Sequence, residues 1–208
     1  MDLLDVNVAS VETSDMDERN DIYFDREFKA YAKRIQPGEY KIIDDSEQML
    51  TTILGSCVAA CIRDPILGIG GMNHFLLPEQ SHAKKINSEA TRYGNHAMEL
   101  LINDLLKLGC KRDRFEIKAF GGASVSNMNV SIGEENSKFI MNYIQLESLK
   151  LESFDLGGKL ARRICYFPKT GRVSRMFLIE CNDVRKREIK HQKRIKNISD
   201  TSYVELFD

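Results

Sequence analysis

Apolar and polar positions alternate in short runs along most of this chain, and the runs predict strands more often than helices. Glu39 to Ile43 and Met49 to Leu54 read as strands. Val58-Ala59-Ala60-Cys61-Ile62 is a compact apolar run, punctuated by Asp64-Pro65. The chain returns as a second apolar run from Gly68 to Leu77. Phe115 to Phe120, Lys150 to Phe154, Arg163 to Phe167 and Val173 to Glu180 complete the strands, with a turn over Phe167-Pro168-Lys169-Thr170-Gly171-Arg172.

Helical spacing is clearest over residues 88–108. There Ala97, Leu101, Leu105 and Leu108 recur on one face, Ser88 or Thr91 supplies the cap, and Gly109 the stop. A second helix is predicted from about Glu134 to Leu149, after Gly133, and FDREFKAYAKRI over residues 24–35 reads as a short amphipathic helix. Strands mostly in hairpin order with two main helices predict an α+β fold: a layered sandwich of helices on largely antiparallel or mixed β-sheets.

Composition narrows the picture without identifying a chemistry. A chain of 208 residues with 42% hydrophobic residues and a mean hydropathy of −0.35 reads as one soluble domain. No apolar run approaches the roughly 18 residues of a membrane span. The acidic start lacks a secretory pattern, so a cytoplasmic location is expected. A net charge of −1 gives no general attraction to nucleic acid. The charge is uneven, however. Residues 1–22 read as an acidic, disordered tail, residues 23–182 as the domain, and 183–208 as a basic tail containing RKREIKHQKRIK. Five cysteines, an odd number in a chain of ordinary size, argue for free thiols rather than a disulfide framework.

Within LGSCVAACIRDPILGIGGMNHFLLP, residues 54–78, one cysteine follows a Gly-Ser turn and one histidine follows Met-Asn. A two-residue hairpin with Pro65 and Ile66 at its tip would set Cys57 directly opposite His74, although Pro65 suits the tight primed turns poorly and Gly68 to Gly71 can host a bulge. An imidazole beside a thiol favours the thiolate, which attacks a carboxamide carbon. The imidazolium then protonates the leaving amine. Backbone N–H groups around Gly55-Ser56-Cys57 are candidate donors to the oxyanion, so Gly55, Ser56 and Asn73 stand as substrate-binding candidates. By position alone, Thr51 or Asn73 could orient the histidine. The ordinary reading of the same residues is an inert core cysteine and a half-buried histidine. A zinc site from Cys57, Cys61, His74 and His96 suits the spacing poorly, because cysteines four apart on a strand make a poor chelate.

These residues resemble the CheD family of chemoreceptor glutamine deamidases. The resemblance rests on Thr51-x-x-Leu54-Gly55-Ser56-Cys57-Val58, Asp64-Pro65, Gly68-Ile69-Gly70-Gly71-Met72-Asn73-His74 and Leu77-Pro78. It continues through Tyr93, Leu108-Gly109, Lys118-Ala119-Phe120-Gly121-Gly122-Ala123, Ile132-Gly133 with Asn136, Asp155-Leu156-Gly157-Gly158 with Arg162, and Phe167-Pro168 with Thr170-Gly171-Arg172-Val173. It covers about residues 40–180. The resemblance implies Cys57 as nucleophile, His74 as catalytic histidine and, as third member, the threonine six residues before the cysteine, Thr51. It implies a fold similar to the deamidase domain of cytotoxic necrotizing factor and no metal or organic cofactor. The implied substrate is glutamine on the cytoplasmic helices of chemoreceptors. A rival role is an adaptor that binds and stimulates a CheC-like phosphatase of phosphorylated CheY, with weak accessory deamidase or methylesterase activity.

Overall fold

The computed structural model describes residues 21–77, 89–125, 130–178 and residue 190. Most of both predicted tails lies outside the described residues. Among the described residues, ten strands and two α-helices run in the order β1 (Ile22–Asp25), β2 (Ala30–Arg34), β3 (Tyr40–Ile43), β4 (Gln48–Leu54), β5 (Val58–Asp64), β6 (Ile69–Asn73), α1 (Glu89–Lys107), β7 (Glu116–Gly121), α2 (Val130–Leu146), β8 (Lys150–Leu156), β9 (Ala161–Phe167) and β10 (Arg172–Leu178). The architecture is α+β with two five-stranded mixed sheets, one ordered β1-β2-β4-β9-β10 and the other β3-β6-β5-β7-β8.

Three apolar clusters define the layers. One lies where the second sheet meets the helices, with Val58, Ala60 and Ile62 of β5 against Met98, Leu101 and Leu105 of α1 and Ile140 and Ile144 of α2. A second fills the space between the sheets, with Leu50 and Leu54 of β4, Cys57, Ala59, Cys61, Met72, Ile164 and Tyr166. The third, with Ala32, Met49, Cys165 and Phe167, lies on the far face of the first sheet. Strand β5 is therefore buried on both faces, which explains its unbroken apolar run.

The predicted helix at residues 24–35 is instead the β1–β2 hairpin, whose first register pairs are Ile22 with Lys33 and Tyr23 with Ala32. The buried positions Ala30, Ala32 and Arg34 alternate with more exposed neighbours, a period of two. Asp25 Oδ1 accepts from the N–H groups of Glu27 and Phe28 at 3.0 and 3.2 Å, and this turn breaks any helix.

Helix α2 starts at Val130, ahead of the predicted start. Gly133 is not its boundary but its point of closest approach. A Cβ there would stand 2.6 Å from the carbonyl oxygen of Gly122 and 2.8 Å from that of Ala123. The predicted cap Ser88 lies outside the described residues.

The β5–β6 hairpin closes through a four-residue loop, Pro65 to Gly68, between the paired Asp64 and Ile69. Its register runs without a bulge from Asp64–Ile69 to Cys61–Met72. Asp64 sets this loop. Its Oδ1 accepts from Ile66 and Leu67 N–H, and its Oδ2 from Lys111 N–H and the Arg114 guanidinium. Burial works against the ionised carboxyl, but these donors together hold Asp64 below the usual carboxylate range.

Candidate functional site

The longer loop shifts the hairpin from the predicted pairing. Val58 bridges Phe75, with reciprocal backbone bonds of 3.0 and 2.9 Å. Continuing that register, Cys57 stands across from Leu76, so Cys57 and His74 are diagonal neighbours rather than directly opposed. Diagonal positions on one face of a sheet lie roughly 7–8 Å apart at Cα and closer between side chains. Val58 and Phe75 face the helices, whereas Cys57 belongs to the cluster between the sheets. Alternation turns His74 to that same layer. Both residues are buried.

His74 is fixed from two sides. Its backbone N–H donates to Glu39 and its carbonyl accepts from Gly38. Across the layer, Thr52 Oγ1 lies 2.7 Å from His74 Nδ1 and 2.8 Å from the carbonyl oxygen of Ile35. A carbonyl only accepts, so the single hydroxyl proton of Thr52 goes to Ile35. The hydroxyl oxygen then accepts from Nδ1–H. The hydrogen-bond network thus assigns the neutral imidazole its proton at Nδ1 and leaves Nε2 as the basic nitrogen.

Thr51, the residue selected by the resemblance, turns the other way. It pairs in register with Cys165, and its Oγ1 lies 3.5 Å from Cys165 Sγ on the far face of the first sheet. The hydroxyl that meets the imidazole belongs to its neighbour, five residues before Cys57. The reason is parity: Leu50 and Leu54 face the layer between the sheets, so Thr52 does too, and Met49 faces outward with Thr51.

The Gly55-Ser56-Cys57 turn is held by its carbonyls. The Gly55 oxygen accepts from Ala123 N–H at 2.7 Å, the Ser56 oxygen from Asn136 Nδ2 at 3.0 Å, and the Cys57 oxygen from Gly122 N–H at 2.7 Å. A Cβ at Gly121 would stand 2.2 Å from the Cys57 oxygen, so only glycine lets β7 come this close.

Asn73 is not at the thiol–imidazole face. Its Oδ1 accepts from Ala60 N–H at 2.8 Å, and its Nδ2 donates to the Ala97 carbonyl at 3.1 Å and meets Met98 Sδ at 3.3 Å. It ties the hairpin to α1, and the hydroxyl that meets His74 Nδ1 is that of Thr52. Ser56 and Gly55 do sit at the turn, both buried.

Tyr93 of α1 lies near enough to be felt. Burial raises its phenol above the ordinary value, and a charge on Cys57 adds to that shift. Burial also pushes the thiols of Cys61, Cys110 and Cys165 up. Among the described residues no group of three or more His, Cys, Asp or Glu side chains could hold a metal ion. No described helix is long and apolar enough to cross a membrane.

Two residues of this arrangement, Thr52 and Asn136, were not assigned a role from sequence. The Thr51-Thr52 pair gave no signal of which faces inward, because β4 is apolar on both sides. Asn136 carried a signal only as part of the CheD-like pattern.

Comparison with known proteins gives the family. Residues 76–176 match the family described as CheD chemotactic sensory transduction. A probable chemoreceptor glutamine deamidase CheD of Bordetella parapertussis is 49% identical over 176 residues, 82% of this chain and 77% of the relative. A protein of the same description from Methylobacillus flagellatus is 43% identical over 192 residues, 89% of this chain and 94% of the relative. One described as CheD 1 from Shewanella oneidensis is 44% identical over 190 residues, 89% of this chain and 92% of the relative. With identity at this level over most of its length, the chain belongs to the CheD family.

Proposed function

We propose that the protein is a chemoreceptor glutamine deamidase in which Cys57 is the nucleophile, His74 the acid and base, and Thr52 the residue that orients His74. The observation that carries the mechanism is the Thr52–His74 contact of 2.7 Å, made by a hydroxyl whose proton is committed to Ile35. It leaves Nε2 free of a proton on the face that Cys57 shares.

His74 Nε2 takes the thiol proton, and the Cys57 sulfur attacks the side-chain carbonyl carbon of glutamine. The resulting oxyanion is stabilised by backbone N–H groups at the Gly55-Ser56-Cys57 turn, whose carbonyls are already held inward. The imidazolium returns its proton to the leaving nitrogen, and ammonia departs. His74 then removes a proton from water, which opens the thioester and releases glutamate. No step asks for a metal or an organic cofactor.

The substrate is a glutamine on a receptor's helical cytoplasmic region, and the enzyme works in the cytoplasm. The names of the relatives support the substrate. The layering of helices, sheet and sheet supports a fold like that of the cytotoxic necrotizing factor deamidase domain. Cys57 and His74 are both present and share a face, which favours an enzyme over an adaptor for a phosphatase. The test is incubation with purified receptor cytoplasmic fragments, read by peptide mass spectrometry. Conversion of selected glutamines to glutamate is expected from the wild type and not from Cys57→Ala. Conversion by Cys57→Ala at the wild-type rate overturns the assignment.

A further inference from the structure

Three carbonyl oxygens, those of Gly55, Ser56 and Cys57, carry the shape of the nucleophile turn. Two of their donors are backbone N–H groups of Ala123 and Gly122. The third is a side chain, the carboxamide of Asn136, whose Nδ2 also donates to the Ile132 carbonyl at 2.9 Å within α2. Its other end reaches the histidine strand: Asn136 Oδ1 accepts from Leu77 N–H at 2.9 Å. Asn136 is wholly buried. One planar group thus bridges the segment just before Cys57 to the segment three residues after His74.

This bridge has a mechanical consequence. Cys57 and His74 are diagonal neighbours, so their side chains meet only if the two chain segments keep their offset. Backbone pairing at Val58–Phe75 fixes one point of that offset. The bonds from Gly122 and Ala123 hold the Gly55-Ser56-Cys57 turn on the β7 side of β5, the side away from the histidine segment. The Asn136 bridge supplies a second point, on the far side of Cys57 from the bridge at Val58. We propose that Asn136 is the positioning residue of the reaction: it locks the nucleophile turn against the histidine segment and so sets the thiol–imidazole geometry. It touches neither substrate nor reacting atoms. The proposal rests on the reading of Cys57 and His74 given above.

Three variants test it, each assayed on a receptor fragment and for carboxymethylation of Cys57 by iodoacetate, below its melting temperature. Asn136→Ala removes both ends of the bridge. Asn136→Asp keeps the shape and the acceptor but, ionised, cannot donate to Ser56. Asn136→Ser restores a shorter donor. Displacements of about 1 Å at a reacting pair can cost on the order of 100-fold. Asn136→Ala and Asn136→Asp are therefore expected to lose about 10- to 100-fold in kcat with KM changed less than about threefold. Cys57 should alkylate correspondingly more slowly, while Cys61 does not change. Asn136→Ser should recover part of both losses. A folded Asn136→Ala with wild-type kcat and wild-type Cys57 alkylation overturns the proposal. So does a change confined to KM or to melting temperature, or a failure of all three variants to fold, which would make Asn136 purely structural. Cys57→Ala run in parallel separates this result from the underlying reading: if it still deamidates, the nucleophile assignment fails, whatever Asn136 does.

Discussion

Strand β4 presents two threonines to two different worlds. On the face between the sheets, Thr52 meets His74 in a layer that also holds Cys57. On the far face, Thr51 meets Cys165 beside an ionic cluster, in which Arg163 donates to Tyr23 Oη at 3.0 Å and to Asp25 Oδ2 at 2.5 Å. Each face thus has a hydroxyl, a thiol and a nitrogen base, all largely buried. They differ in the base. An imidazole can accept a proton and return it near neutral pH, whereas a guanidinium stays charged and only donates. Cys165 is raised by burial, which Arg163 only partly opposes. Under the proposed assignment, the same two side-chain types make a reactive arrangement on one face and a structural one on the other.

The largest effect that could break this contrast comes from the two cysteines. Cys57→Ala should reduce deamidation to background while leaving the fold intact, and Cys165→Ala should keep turnover within about threefold of wild type. Turnover lost in Cys165→Ala and kept in Cys57→Ala would reverse the roles of the two faces.

Next come the threonines. Thr52→Ala should lower kcat by a factor on the order of 10 to 10³, because the imidazole loses the acceptor that fixes its tautomer. Thr52→Ser should restore much of it. Thr51→Ala should stay within about threefold. Equal losses from both alanine variants would remove the distinction between the faces.

Labelling sharpens the comparison further. If His74 assists the thiol, Cys57 should alkylate about tenfold faster than Cys165 at neutral pH, and His74→Ala should erase that advantage. Equal rates in the wild-type protein would count against it.

Asp64, remote from both threonines, gives the smallest effect on chemistry and a distinct one on stability. Its folded-state carboxyl lies below its unfolded value, so its contribution is present above the unfolded value and lost as pH falls through the folded one. Asp64→Asn should therefore lower the melting temperature at pH 7 by roughly 6–20 °C, the scale expected for breaking one buried charged partner. The deficit should narrow in acid. A pH-independent deficit would show that the carboxylate charge is not what the loop uses.

Much of this was legible in advance, and what was not has physical reasons. The main strands and both helices followed from apolar spacing, because most have at least one well-buried face. The segment at 24–35 was misread because Phe24, Phe28, Tyr31 and Ile35 approximate a helical spacing, while the Asp25 turn that divides them is a local side-chain effect. The Gly55-Ser56-Cys57 turn and His74 stood out as residue types in a pattern. The choice between Thr51 and Thr52 did not, since both flanks of β4 are apolar and parity there depends on which sheet lies opposite. The hairpin register depended on loop length, which Asp64 decides through contacts with Lys111 and Arg114, far along the chain.

The pairing of β4 with β9, where Thr51 lies beside Cys165 and Thr52 beside Ile164, also governs when activity can appear. These partners are separated by more than half the chain, and closing so long a loop is slow compared with forming α1 or α2. Until β9 has left the ribosome, β4 has an open edge and the hydroxyl that contacts His74 sits on an unfinished sheet. During refolding the helical signal should return first and deamidation last. On this order, deamidation should appear in the newborn protein only once nearly all of its sheet-forming sequence is made.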